Sequence, residues 1–369
     1  MTRVADAVKI ARALLAESIL NWLLLGIPIS VFLWLSRAPE TLTFLVSAVA
    51  LVPLAGLIGQ ATEDIAASTG PTAGGLLNVT FGNATELVVA VLALTHGLDE
   101  VVKASITGSI LGNALLVLGM SMVAGGWGRE RVYFNRTAAS TAAATLLLAV
   151  TAMVMPAVFN LTVFGRLQGQ DAALNLLSLL VAIVLLATYV LSLVFSLITH
   201  RTMLISVAAV TEEPMLSVRA AIVVLASVTL VTALESEILV STIAGTTKAL
   251  GITEFFVGAI VVAIVGNAAE HLSAVMVARK GQMDLAVSIT TGSSTQIALF
   301  VAPILVLLSW AIGRPMSLVF NAFEIAAVAL AGIIVTVASA DGETNWFEGV
   351  QLIAVYLIFA IAFYFVPGP

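Results

Sequence analysis

Two short phrases carry carboxylates into apolar runs. Gly82-Asn83-Ala84-Thr85-Glu86 precedes Leu87-Val88-Val89-Ala90-Val91-Leu92, and Gly266-Asn267-Ala268-Ala269-Glu270 precedes His271-Leu272-Ser273-Ala274-Val275-Met276. They begin 184 positions apart (266 − 82). An ionisable group within hydrocarbon is costly and marks an ion pathway by default. On a helix, Asn83 and Glu86 stand at i and i+3 and share a face, as do Asn267 and Glu270. Gly82 and Gly266 allow close approach and local unwinding, which frees backbone carbonyls toward a site. Further along, Thr107-Gly108-Ser109 answers Thr291-Gly292-Ser293 at the same offset. Ser109 then pairs with Asn113 at i+4, and Ser293 with Gln296 at i+3. The symmetry is imperfect there, because Asn113 falls opposite Ile297 and Gln296 opposite Gly112.

These ten residues (Gly82, Asn83, Glu86, Ser109, Asn113, Gly266, Asn267, Glu270, Ser293 and Gln296) offer oxygen ligands and no thiol or imidazole cluster, which suits a hard cation. Calcium accepts 6–8 oxygens in flexible geometry, whereas magnesium keeps its waters and demands an octahedron. A divalent cation neutralises two buried glutamates, and so do two protons; burial disfavours the empty, ionised pair. A site that must hold either the cation or protons is the physical basis of antiport. A single Gly-Asn-Ala triplet has little specificity, and glycines in membrane helices usually serve packing; the duplicated set with its Thr-Gly-Ser sequel is what points to function. The expectation is an exchanger that loads the cation on one side and protons on the other. No cofactor is expected beyond the transported ions.

Other polar groups are candidates for gating or ion entry. Glu63 and Asp64 close the second apolar run, and Glu235 and Glu237 lie within the seventh, its counterpart. Glu324 stands early in the tenth, where it would line an outer vestibule. His271 adjoins Glu270, about 100° away on a helix, and reads as a packing or gating residue. An intramembrane hydrolase is the alternative of another class, with Ser293 as nucleophile and His271 or His96 as base. No Gly-x-Ser-x-Gly or His-Glu-x-x-His pattern supports it, and duplication of the serine at Ser109 argues for binding; the chain reads as a transporter, not an enzyme. A passive channel is a third possibility.

The elements that position these residues follow from composition. Hydrophobic residues make up 60% of the 369 and charged residues 10%, against about 25% charged in a soluble domain. The chain is expected to be an all-α polytopic membrane protein whose partner is the lipid bilayer, with possible homo-oligomerisation. A net charge of −6 gives no surface for nucleic acid, and the absence of cysteine removes disulfides and thiolate metal sites. With roughly 20 apolar residues per span, runs fall near 18–36, 41–62, 73–96, 101–123, 137–158, 173–198, 218–243, 253–278, 284–311, 318–339 and 346–366, eleven in all. Turns are expected at Gly125-Gly126-Trp127-Gly128, Gly165-Arg166 and Asp341-Gly342-Glu343, where Trp346 would anchor the interface. Met1 to Glu17 is mixed and roughly amphipathic, with no cleavage site after it.

Basic residues orient the spans. Arg3, Lys9, Arg12, Arg129, Arg131, Arg136, Arg201, Arg219, Arg279 and Lys280 fall on one side, and Arg37, Lys103, Arg166, Lys248 and Arg314 on the other. Ten against five implies a cytoplasmic N-terminus and an outside C-terminus in a cell membrane. Gly97 matches Gly281 at 184, Phe134-Asn135 matches Phe320-Asn321 at 186, and Ala187-Thr188-Tyr189 resembles Ala354-Val355-Tyr356 at 167. The expected units are 1–40 (N-terminal segment and first helix), 41–200 (first five-helix repeat), 201–217 (cytoplasmic linker) and 218–369 (second repeat). An odd span number inverts the second unit, which puts the two sites around an in-plane axis near the midplane.

The stretches LVPLAGLIGQATEDIA (51–66), GGLLNVTFGNATELVVAVLAL (74–94), SILGNALLVLG (109–119), YVLSLVFSLITH (189–200), GNAAEHLSAV (266–275), TGSSTQIALFVAP (291–303) and DGETNWFEGVQLIAVYLI (341–358) resemble the Ca2+/H+ antiporter (cation/proton exchanger) family of the calcium/cation antiporter superfamily. The resemblance covers both repeats. It implies eleven spans in inverted five-helix repeats and Ca2+ export driven by protons. It also implies that Glu86 and Glu270 are exchange residues, with Asn83, Asn267, Ser109, Asn113, Ser293 and Gln296 at the polar motif positions. Many relatives carry an acidic helix before the seventh span; Thr202 to Leu216 holds only Glu212 and Glu213. Sodium/calcium exchangers carry Ser and Pro around the repeat acid where this chain has Asn-Ala-Thr and Asn-Ala-Ala, which disfavours sodium coupling. Sodium coupling and Mn2+ transport are the alternatives within transport. The lack of a long hydrophilic extension suits a prokaryotic membrane.

Overall fold

The computed structural model describes residues 19–69, 74, 76–77, 80–165, 171–199 and 214–367. The N-terminal segment, the loop at 166–170 and most of the linker expected at 201–217 lie outside the described residues. A 3-10 run, Ile19–Leu25, leads into α1 (Gly26–Leu35). There follow α2 (Glu40–Thr69), α3 (Ala84–Thr95), α4 (Asp99–Gly126), α5 (Arg136–Phe164), α6 (Ala172–Thr199) and α7 (Val218–Ser241). The second half holds α8 (Ile243–Leu250), α9 (Glu254–Gly266), α10 (Ala268–Arg279), α11 (Met283–Ala311), α12 (Ala322–Ala338) and α13 (Trp346–Tyr364).

Seven of these, α2, α4, α5, α6, α7, α11 and α13, are long and apolar enough to cross a membrane; α8 and α9 pass that test only when taken together, and they are bent by 113° at the break between them. The stretch 20–35, α3 and α12 are shorter apolar helices. The protein is a multi-pass helical membrane protein. α4 lies at its centre: 83% of its apolar window is buried, against 22% for α6 and α13, which keep apolar faces outward. That distribution suits a solvent of hydrocarbon, where exposed leucine costs nothing and packing supplies the contacts.

Several boundaries differ from the apolar runs. The third and eighth runs are interrupted: Gly82 and Asn83 form a turn before α3, and Asn267 separates α9 from α10. Gly125 and Gly126 are still helical, so the turn after α4 is confined to Trp127 and Gly128. A Cβ on Gly126 would stand 2.7 Å from the Trp346 nitrogen, so glycine serves close packing of α4 on the start of α13. The seventh run ends at Ser241, and α8 forms a separate helix after it. The chain is not all-helical either. Val132–Tyr133 (β1) pairs antiparallel with Glu343–Thr344 (β2), supported by Arg131 Nη1 at 2.8 Å from Glu343 Oε1. This clip and the edge-to-face Trp127–Trp346 contact, 5.9 Å between centroids, hold the expected interfacial loops together.

Four wide, π-type turns interrupt the helices, at Gly112–Val117 in α4, Phe195–Thr199 in α6, Val257–Val262 in α9 and Ile297–Val301 in α11. Such turns concentrate at functional sites. Those in α4 and α11 begin just beyond Ser109 and Ser293.

Candidate ion-binding site

Both glutamates occupy the third position of a half-helix. Glu86 follows Asn83 (φ −97, ψ 19) into α3, and Glu270 follows Asn267 (φ −99, ψ 7) into α10. The two breaks share one backbone geometry, which turns each carboxylate to the positive end of its helix. The asparagines therefore do not ride on the same helical face as the glutamates; each stands at the break, outside the helix proper.

The two glutamate segments and the stretches after them meet through side chains. Glu86 Oε1 accepts from Ser109 Oγ and from Asn267 Nδ2. Asn267 Nδ2 also lies 2.9 Å from Ser109 Oγ and 2.8 Å from the Ala263 carbonyl. Asn113 Nδ2 donates to Asn267 Oδ1 at 3.1 Å and to Ser293 Oγ at 3.0 Å. Ser293 Oγ in turn donates to Glu270 Oε2. One hydrogen-bonded chain thus runs from Glu86 through Asn267, Asn113 and Ser293 to Glu270. A separate link joins Asn83 Nδ2 to Gln296 Oε1 at 2.6 Å. The five amide and hydroxyl residues nearest the acids, Asn83, Ser109, Asn113, Asn267 and Ser293, are buried, while Glu86, Glu270 and Gln296 are half-buried.

Two buried oxygens, Asn83 Oδ1 and Glu86 Oε2, have no hydrogen-bond partner among the described residues. A buried acceptor without a donor is costly, and ligation of a cation is one way such an oxygen is satisfied. Gly266 admits the first carboxylate: a Cβ there would stand 2.9 Å from Glu86 Cγ. All ten sequence-derived site positions fall on these breaks or on the α4 and α11 segments facing them.

The gating candidates disperse. Glu63 is exposed. Asp64 is buried, and its carboxylate accepts from the backbone nitrogens of Met215 (2.9 Å) and Leu216 (3.2 Å), so it fastens the approach to α7. Glu237 pairs with His96 Nε2 at 3.2 Å, joining α7 to the end of α3. Glu324 closes a capping box with Asn321 at the start of α12 and accepts from Thr107 Oγ1 at 3.1 Å. It is 3% exposed and lines a small cavity with Thr107, Met153 and Phe320. His271 is buried beside Gly112, and its Nε2 has no partner among the described residues. Glu235 is enclosed between α7, α1 and α2.

Gly108, the middle residue of the first Thr-Gly-Ser, has a packing role of its own. A Cβ on it would stand 1.9 Å from the Ala259 carbonyl, so α4 and α9 cross in backbone contact. Its match Gly292 has nothing within 4 Å. The Thr-Gly-Ser duplication was the available signal.

A multi-pass helical fold with two half-helix acids facing one another defines an ion-transport class of membrane protein. The chain belongs to the family described as Sodium/calcium exchanger protein, which it matches over residues 39–198 and 220–365. It is 47% identical to a Synechocystis protein named Ca(2+)/H(+) antiporter, over 89% of this chain and 92% of that one. It is 44% identical to the Ca(2+)/H(+) antiporter ChaA of Bacillus subtilis, over 92% and 96%. The solved structure of native YfkE superposes with a TM-score of 0.81 at 39% identity, covering 96% of this chain and 100% of that one.

Proposed function

We propose that this protein exports Ca2+ from the cytosol in exchange for H+ by alternating access, with Glu86 and Glu270 binding the cation or protons in turn. The observation that carries the reading is the hydrogen-bonded chain joining the two glutamates across the repeats, with unpartnered oxygens on Asn83 and Glu86 beside it. Two carboxylates, amide oxygens and hydroxyls form an oxygen-only ligand set suited to Ca2+. Gln296 and Asn83 would complete it from the other side, while Gly82 and Gly266 supply the unwound backbone. The names of the relatives, Ca(2+)/H(+) antiporters at 44–47% identity, support the same exchange.

In this reading eleven spans form one extra helix and two inverted repeats, with units at 1–40, 41–200, 201–217 and 218–369. α9 and α10 make one broken span, and α3 with the residues before it makes its inverted partner. The N-terminus is cytoplasmic and the C-terminus outside. Sodium coupling remains the second reading because the family's description includes sodium/calcium exchange. Uptake of radioactive Ca2+ into everted vesicles separates them. A proton gradient should drive uptake without sodium; uptake driven by a sodium gradient alone would overturn the proposal.

A further inference from the structure

One carboxyl outside the central site is completely enclosed. Glu235 has no solvent exposure, and neither do Ser30 of α1, Ser47 of α2, or Thr232 and Ser236 of α7. Thr232, Glu235 and Ser236 stand at i, i+3 and i+4 and share one face of α7. Ser30 Oγ lies 2.6 Å from Glu235 Oε1, and Ser47 Oγ donates to the Glu235 backbone carbonyl at 2.7 Å. At the repeat offset of 184 the first unit has Leu51 in place of this acid, so it is not part of the duplicated machinery.

Hydrogen accounting decides its state. Ser30 carries one hydroxyl hydrogen and lies within reach of two acceptors, the Ile27 carbonyl at 2.8 Å and Glu235 Oε1 at 2.6 Å. An ionised Glu235 leaves one of those contacts without a hydrogen. Its Oε2 has no donor among the described residues either. A proton on Oε1 resolves the conflict, because Glu235 then donates to Ser30 Oγ while Ser30 donates to Ile27. The 2.6 Å separation suits an O–H···O bond.

Among the described residues, no cation forms an ion pair with Glu235. α7 packs against α1, α2, α3 and α8. The ionisable groups on those elements are Glu40, Glu63 and Asp64 on α2, Glu86 on α3 with His96 just beyond it, and Lys248 on α8; α7 itself adds Arg219 and Glu237. His96 is held by Glu237, and Arg219 stands about 24 Å away along the helix at 1.5 Å per residue. Thr232 Oγ1 and Ser236 Oγ, both buried without a partner among the described residues, leave further acceptors on the same face.

We propose that Glu235 is a second proton-binding carboxyl, separate from the Glu86–Glu270 pair, and that its proton pins α7 to α1 through Ser30. The ligand is the proton itself, and its loss would leave an uncompensated charge in the seam. This assignment does not depend on which cation the central site carries.

Infrared spectroscopy tests it on the full-length protein. In the Glu86→Gln/Glu270→Gln background, the protonated-carboxyl stretch at neutral pH should lose one component when Glu235→Gln is added. Glu235→Asp, a second variant that keeps the acid, should shift that component and retain it. A spectrum unchanged by Glu235→Gln in correctly eluting protein would overturn the proton site. In the otherwise native chain, Glu235→Gln mimics the protonated form and cannot ionise, so transport should persist to higher pH than in the parent. An identical alkaline decline in both would overturn the pinning role.

Discussion

Asn267 shows how much one amide can do in a membrane. Its nitrogen reaches the carboxylate and serine of the other repeat, while its oxygen takes the amide of Asn113. Hydrogen bonds to charged groups contribute about 1.5–3 kcal/mol. Asn267→Ala is therefore expected to weaken Ca2+ binding by about 10–100-fold at ~1.4 kcal/mol per decade, measured as the Ca2+ concentration for half-maximal transport. Glu86→Gln and Glu270→Gln should each reduce proton-driven Ca2+ uptake to background, since either leaves the cation half neutralised; retained exchange in one of them would sink the paired-carboxylate mechanism. Asp64 should behave differently. Asp64→Ala removes two backbone contacts before α7 and should lower thermal stability by about 1–3 kcal/mol while preserving the Ca2+ concentration dependence. A change in that dependence with unaltered stability would return Asp64 to the ion pathway.

Among the elements, the two broken helices carry the same sequence idea in unequal surroundings. Gly108 on α4 lies against the backbone of α9, whereas its match Gly292 on α11 faces open space. One flank is therefore closed and the other open, as the proposed alternating-access cycle expects of a single state. Gly108→Ala cannot be accommodated here, and Gly292→Ala can. Both variants should nonetheless lose transport, because exchange of states would bring Gly292 into the tight crossing. Gly292→Ala should elute and melt like the parent; native transport by it would show that the α11 flank never closes in this way. The seam of α7 with α1 and α2 is the other place where an element meets a polar neighbour. There Ser30 of α1 reaches Glu235 of α7.

At the scale of the whole molecule, membrane orientation is open to direct labelling because the chain has no cysteine. Trp127→Cys should react only with reagent that reaches the cytoplasmic face, and Val366→Cys only with reagent applied outside. The reverse pattern would overturn the proposed orientation. The membrane class, the multi-pass architecture and the residues of the candidate site were legible in the chain itself. Hydrocarbon demands long apolar runs, and a duplicated carboxylate inside such runs stands out against them. The length of α2 was less legible: it continues as helix to Thr69, well past its apolar run, because Glu63 and Asp64 are compatible with helix once hydrocarbon ends. Composition registers polarity, not backbone conformation.

Local chemistry and period determined which residues belong together: Gly-Asn-Ala-x-Glu, the Thr-Gly-Ser that follows it, and the offset of 184 between copies. They did not determine partners. That Asn267 serves Glu86 while Asn83 serves Gln296, that Glu324 takes the Thr107 hydroxyl, and that Glu237 meets His96 were decided only in the tertiary structure. Each is a contact between residues far apart in the chain, set by how helices cross, and the same polar side chain suits a gate, a cap or a ligand equally well until its neighbours are known.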